Sequence, residues 1–415
     1  LTKMENQNLS CMPQDLEKRK YYGLHDRPAA ASLLDFTRSA NELLALGRAL
    51  DHGPYQNPIS CPKIIFQGQV FLIGEVTEAH TDVHTDAVAG AILSVTADTV
   101  IVATQTTPVR LHYISNTDGK PLVIGEVFSE TDVIKPIESQ FANDITEMMR
   151  GLIKSEPFWR ERLMDIIPAE LPHIGNQQND TGLAQQSLNL PASLTNDEML
   201  AIVAAWVARI CDISSFDLAF RDANALQGLN PQFCTDWVPV RFDATDCLSI
   251  QEASTRFVNT LNTARTHRGF ARDLWLRDPN INPRITPTVG IVIDNGLPPI
   301  LGTSLTVGIS TDAAYLQYDT SQFSKETIAR FATQIERLCE KQTDGDLNDI
   351  SVSHLPILSP KEYDEAVYRW HNTQEEYDQS ICIHHMFEAQ VARTPDAQAV
   401  VFENTTMTYA ELNAQ

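Results

Sequence analysis

The sequence predicts an α+β multidomain chain, a small β-barrel followed by an α/β sandwich half domain. Two patterns predict it. Over residues 33–128 one amphipathic helix is followed by about five short strand signals separated by polar turns, the mark of a small barrel. Over residues 151–357 helical and strand periodicities alternate in segments long enough to layer helices on a sheet.

The first helix is read in residues 33–51, where Leu43, Leu44, Leu46 and Leu50 recur at helical spacing and Thr37 or Ser39 can cap the start. A proline-bearing loop follows. KIIF and VFLIGEV, joined by Gln67-Gly68-Gln69, then read as a hairpin. Residues 91–95 and 100–103 flank a polar turn, and VRLHYI runs to the Asp118-Gly119 turn.

A helical connector, IESQFANDITEMMRGLI, leads to the second part. Thr195-Asn196-Asp197-Glu198 has the pattern of a capping box, in which the threonine oxygen and the glutamate satisfy each other's backbone amides. Met199, Ile202, Val203, Trp206 and Ile210 give the ensuing helix an apolar face. Leu305, Val307 and Ile309 alternate as a strand, AAYLQYD is its partner across a turn near Thr311-Asp312, and Ser324 caps a helix bearing Ile328, Phe331, Ile335 and Leu338.

Composition excludes several classes of partner. The 415 residues hold 31 basic and 54 acidic side chains, a net charge of −23 that repels phosphate backbones and anionic lipid surfaces. No nucleic acid and no membrane is expected. The longest apolar run, residues 199–208, is half of the roughly 20 residues a membrane span requires. The opening LTKMENQNLS has neither the basic start nor the apolar core of an export signal. Seven scattered cysteines without a CxxC pair read as reduced thiols of a cytoplasmic protein.

Three resemblances organise these elements. YYGLHDRP, LLDFTRSANELLALGRALDHGPYQNP, AGAILSV, TVIVAT, VRLHYI and DGKPL resemble, in order and spacing, the C-terminal barrel of methionyl-tRNA formyltransferases. That resemblance implies an OB-like barrel over residues 21–128, after a tail at 1–20. The family's catalytic Asn, His and Asp belong to an N-terminal domain that this sequence does not contain. The family's barrel helps to hold tRNA through a basic face. Here residues 25–128 carry six basic side chains (Arg27, Arg38, Arg48, Lys63, Arg110, Lys120) against eleven acidic ones, so a spacer or docking body is expected instead.

Beyond a helical connector at 129–150, residues 151–357 resemble the C-terminal half of a condensation domain of nonribosomal peptide synthetases, with the sandwich that condensation enzymes and acetyltransferases share. FWRERL, MLAIVAAWVARI, NPQFCTDWVPVRFD, HRGFARDLWLRDP, PTVGIVIDN and YLQYDTSQFSKETIARFATQIERL follow the family order. Residues 358–383 resemble a condensation–adenylation linker, and 384–415, HHMFEAQVARTPDAQAVVFENTTMTYAELNAQ, resemble the start of an adenylation domain.

No catalytic, cofactor-binding or metal-binding residue is expected in this chain. The condensation motif HHxxxDG has no counterpart: the paired His384-His385 are followed by Ala389 and Gln390 where that motif has Asp and Gly. No phosphate loop, nucleophile elbow or HExxH occurs. His80-Thr81-Asp82-Val83-His84-Thr85-Asp86 alternates possible metal ligands but reads as a solvated loop. The expected interface residues are Leu355, Ile357, Tyr363, Val367 and Trp370. The resemblances imply a non-catalytic scaffold that positions the following adenylation domain. The partners would be the adjacent adenylation and carrier domains, and the parent polypeptide would use ATP, Mg²⁺ and a phosphopantetheine arm. Two alternatives stand beside this: the end of an active formyltransferase initiation module, or a residual acyl-transfer domain acting through a residue such as His267.

Overall fold

Ser39 opens the first long helix, α1 (Ala40–Leu50): its hydroxyl accepts from the Glu42 amide while the Glu42 carboxylate accepts from the Ser39 amide, a complete capping box. In this computed structural model residues 15–19, 21, 23–79, 87–172, 182–282, 285–293, 298–310, 313–373 and 381–415 are described. The chain divides into two units, residues 1–357 and 358–415.

Leu43 faces the core of a five-stranded sheet built from β1 (Lys63–Phe66), β2 (Gln69–Glu78), β3 (Ile92–Val95), β4 (Thr99–Val102) and β5 (Val109–Asn116). Gln67 and Gly68 both have positive φ, 48° and 77°, the two-residue turn whose twist matches an antiparallel hairpin. The strand order is β1-β2-β5-β4-β3, antiparallel throughout. The sequence predicts a small barrel; among the described residues no ladder joins β1 to β3. Single bridges continue the two edges instead, Leu33 to Lys63 on one side and Ala91 to Val133 on the other.

Helices α2 (Ser139–Ile153) and α3 (Glu156–Met164) lead to a six-stranded mixed sheet. Its members are β6 (Leu183–Leu188), β7 (Ser215–Asp222), β8 (Val238–Asp243), β9 (Val289–Ile293), β10 (Leu305–Ile309) and β11 (Ala314–Asp319), in the order β6-β11-β10-β9-β7-β8. Only the β9–β10 and β7–β9 pairs run parallel. The expected β10–β11 hairpin is present, with Val307 opposite Leu316. Helices α4 (Asn196–Cys211), α5 (Ile250–His267) and α7 (Lys325–Thr343) share one core with this sheet, and Trp159 and Leu163 of α3 join it. Thr195 and Glu198 form the capping box of α4, and Ser324 caps α7 through the Thr327 amide. Helix α4 is buried on every side from Met199 to Ala208, not on one face as its spacing predicts, because α5 and α7 cover what the sheet does not. Between α5 and β9 lies the single turn α6 (Leu274–Arg277).

The second unit holds α8 (Pro360–Asp364), a π-helical turn at Glu365–Arg369, α9 (Ile383–Arg393), the hairpin β12 (Gln398–Phe402) and β13 (Thr405–Thr408), and α10 (Tyr409–Ala414). Ser359 with Glu362 and Thr408 with Glu411 make capping boxes there. No helix among the described residues is long and apolar enough to cross a membrane.

Candidate functional site

The first unit concentrates its buried charge where the five-stranded sheet meets the sandwich. Asp273 immediately precedes α6 and Arg277 ends it, at positions i and i+4, which places both side chains on one face of the turn. Asp273 accepts from Lys63 Nζ at 2.6 Å and from Arg277 Nε at 3.0 Å. The Arg277 guanidinium also grips Glu156 with two bonds, 3.1 and 2.8 Å. Arg160, one turn along α3 from Glu156, reaches it at 3.3 Å and Asp278 at 3.1 Å. Three cations and three carboxylates thus form one chain of alternating sign, and the side chains of Lys63, Asp273 and Arg277 are at most 5% exposed.

Burying so much charge is tolerable only when each polar atom is answered. Lys63 Nζ donates also to Ser60 Oγ (2.9 Å), the Cys61 carbonyl (2.9 Å) and the Ala31 carbonyl (3.1 Å). The Asp273 carboxylate accepts further from the Cys61 amide at 3.0 Å and Ser60 Oγ at 3.2 Å. Asn57 pins the intervening loop: its side-chain amide donates to the Leu50 and Ser60 carbonyls, and its backbone exchanges bonds with Arg277. The turn that presents the Ala31 carbonyl is strained, with φ of 49°, 53° and 67° at Ala30, Ala31 and Ser32, a region L-residues avoid at a cost of roughly 1–2 kcal/mol each.

Burial raises the Asp273 carboxyl, and the charges of Arg277 and Lys63 with the Lys63 and Cys61 hydrogen bonds outweigh it, so the group lies below the usual carboxylate range. Arg277 is held above its ordinary value: burial lowers it, while Asp273 and Glu156 more than compensate. The neighbouring Cys61 thiol is pushed up to about 11, by burial and then by Asp273.

Beside the charges lies an apolar cluster. Leu33 and Val70 from the sheet side pack with Met149 and Leu152 of α2 and with Phe233 and Ala271 from the sandwich. A cleft of about 1060 Å³ opens along the same junction, lined by the β1–β2 turn, residues 132–138 and residues 228–232. Within that lining Gln232 donates its side-chain amide to the Gly68 carbonyl.

The expected interface residues separate at the unit boundary. Leu355 is 2% exposed in the sandwich core and Ile357 packs against that core, whereas Tyr363, Val367 and Trp370 lie on the second unit and are 53%, 39% and 74% exposed. His267 stacks on Phe158, with ring centroids 4.0 Å apart and planes 9° apart, and its Nδ1 lies 3.1 Å from Ser155 Oγ. His384 and His385 are exposed on α9. The His80-to-Asp86 segment falls outside the described residues. Sequence reasoning missed Lys63, Glu156, Asp273 and Arg277; the i, i+4 pairing of Asp273 with Arg277 was the available signal.

No family model matches the chain. Over 132 residues, 32% of the chain, it is 33% identical to malpinin synthetase of Mortierella alpina. Over 101 residues it is 35% identical to a linear gramicidin synthase polypeptide of Brevibacillus parabrevis, and over 98 residues 38% identical to a dimodular nonribosomal peptide synthase of Bacillus subtilis. The chain spans only 2%, 1% and 4% of those three relatives. Among solved structures, the X-domain from teicoplanin biosynthesis aligns over 62% of this chain and 74% of its own, at 17% identity and a TM-score of 0.41. A four-domain nonribosomal peptide synthetase bound to AMP and glycine aligns over 74% of this chain and 28% of its own, at 13% identity and a TM-score of 0.46. The segment shared with the curated relatives points to a part of a nonribosomal peptide synthetase.

Proposed function

We propose that the chain is a non-catalytic platform within a cytoplasmic nonribosomal peptide synthetase. In this reading a formyltransferase C-terminal-like barrel and the C-terminal half of a condensation domain are fused into one body, which positions a following adenylation domain. The observation that supports it is the buried junction: a six-membered ion chain and an apolar cluster tie the five-stranded sheet to the sandwich. Junctions between domains that move independently are generally smaller and more polar. The histidines also favour scaffolding, since His267 is engaged in stacking and the His384-His385 pair lacks the Asp and Gly of the condensation motif. ATP, Mg²⁺ and the phosphopantetheine arm would be used by the adjoining adenylation and carrier domains of the parent.

The test is a loading assay on the parent synthetase, supplied with ATP, amino acids and formyl-tetrahydrofolate, with the carrier-bound species weighed by intact mass. Platform function predicts an unmodified aminoacyl adduct, and slower adenylation or a lower melting temperature when residues 1–357 are removed. A formyl increment on the adduct, or a truncated parent with unchanged adenylation and stability, would overturn the reading.

A further inference from the structure

At the start of α9 the second unit gathers three metal-type donors. Cys382 occupies the N-cap position, where its side chain makes no capping bond, and His384 and His385 follow in the first turn. One donor atom from each, the Cys382 sulfur and a ring nitrogen from each histidine, lies within 4.8 Å of the other two. The two imidazole rings have centroids 4.1 Å apart and planes inclined by 55°. All three residues are exposed, so a cation reaches them directly from solvent.

We propose that Cys382, His384 and His385 form a three-ligand site for a borderline divalent cation, zinc being the best match. Zinc binds sulfur and imidazole nitrogen at roughly 2.0–2.3 Å in tetrahedral geometry, which sets neighbouring donors roughly 3.3–3.8 Å apart. Side-chain rotations of exposed residues bridge the difference from 4.8 Å. A thiolate with two imidazoles excludes magnesium and calcium, which take oxygen ligands, and the fourth position falls to water. The helix N-terminus opposes a cation with about half a positive charge, and the full charge of the thiolate outweighs it. As the sulfur–metal bond forms, the thiol proton passes to solvent. The bound ion would tie residue 382 to the first turn of α9 and so fix how the chain enters that helix.

The experiment uses the full 415-residue chain without an affinity tag, titrated with Co²⁺ and then with Zn²⁺. The site predicts one equivalent of Co²⁺ with a near-ultraviolet sulfur-to-metal band, displaced by Zn²⁺, and at least tenfold slower alkylation of Cys382 once Zn²⁺ is bound. Cys382→Ser removes the band, and His384→Ala with His385→Ala removes the protection of Cys382. Because these side chains are exposed, the variants should keep the parent's circular dichroism. No thiolate band in the parent chain, or a band that survives in Cys382→Ser, overturns the site; survival would place the sulfur donor at another cysteine.

Discussion

Lys63, the first residue of β1, and Asp273, at the head of α6, stand 210 positions apart in sequence and 2.6 Å apart in the structure. Each comes from a different sheet system, so their contact exists only when both are folded and docked. The pair is the shortest ion contact in the chain of charge that runs on through Arg277, Glu156, Arg160 and Asp278.

Removing one partner of a buried pair strands the other charge away from water. Asp273→Ala leaves the Lys63 charge without a counter-ion and one edge of Arg277 unanswered, and should lower the unfolding free energy by about 3–5 kcal/mol. Replacing both ends with apolar residues, Lys63→Met with Asp273→Leu, should cost less than Asp273→Ala. Denaturant melts of the three proteins check the order; a single variant as stable as the parent chain would contradict it.

The same carboxylate makes stability depend on acid. Its folded value lies below the ordinary one, so the unfolded chain binds its proton first. The stabilisation is complete above the unfolded value of about 4 and is lost as pH falls from there through the lower folded value. Between about pH 5 and pH 3 the parent chain should therefore lose stability more steeply than Asp273→Asn. Parallel curves would show that Asp273 does not carry the dependence.

The cysteines should label in an order set by burial. Burial pushes Cys234 and Cys339 up to about 12, and Cys61 to about 11 with help from Asp273, whereas Cys382 is exposed. At pH 8 in metal-free buffer, alkylation followed by peptide mapping should find Cys382 modified at least a hundredfold faster than Cys234 or Cys339. Comparable rates would mean that the core opens readily.

Gly90 has φ of 90°, and a methyl group there would lie 2.1 Å from the Ile134 carbonyl oxygen. The close approach lets Gly90 accept from the Ile134 amide at 2.8 Å while donating to Ala103 at 2.9 Å, tying the connector to the sheet edge. Gly90→Ala should cost at least about 1–2 kcal/mol from backbone strain alone. Thermal melting measures it, and an unchanged midpoint would contradict the geometry.

Local signals in the sequence carried the elements and missed the junction. The Thr195–Glu198 capping box and the Gln67-Gly68 turn are read within a few residues of chain and stand where their spacing predicts, and of the two possible caps Thr37 and Ser39 it is Ser39 that caps the first helix. Strand β7 escaped notice because nearly all of it is buried, which erases alternation, and because Asp217, Arg221 and Asp222 look like surface residues. Asp217 is buried, and the half-buried Arg241 grips it at 3.0 and 2.7 Å. Edge strand β6, LAQQSL, is polar and half-exposed, and only its pairing to β11 defines it. The Lys63–Asp273 contact has no local signature, since 210 residues separate the partners. Leu355 and Trp370, read from the same apolar pattern, fall in different units, since apolar spacing shows that a residue needs cover, not which body supplies it.

In the proposed function the five-stranded sheet and the sandwich form one cooperative platform. Hydrogen exchange under increasing denaturant tests it most directly, by following the amides of β4 in the sheet and β10 in the sandwich of the full chain. A shared junction predicts that both lose protection at the same denaturant concentration, and that Asp273→Ala moves both together. Loss of protection in β4 well before β10, with only one of them responding to Asp273→Ala, would show two independent bodies and contradict the platform.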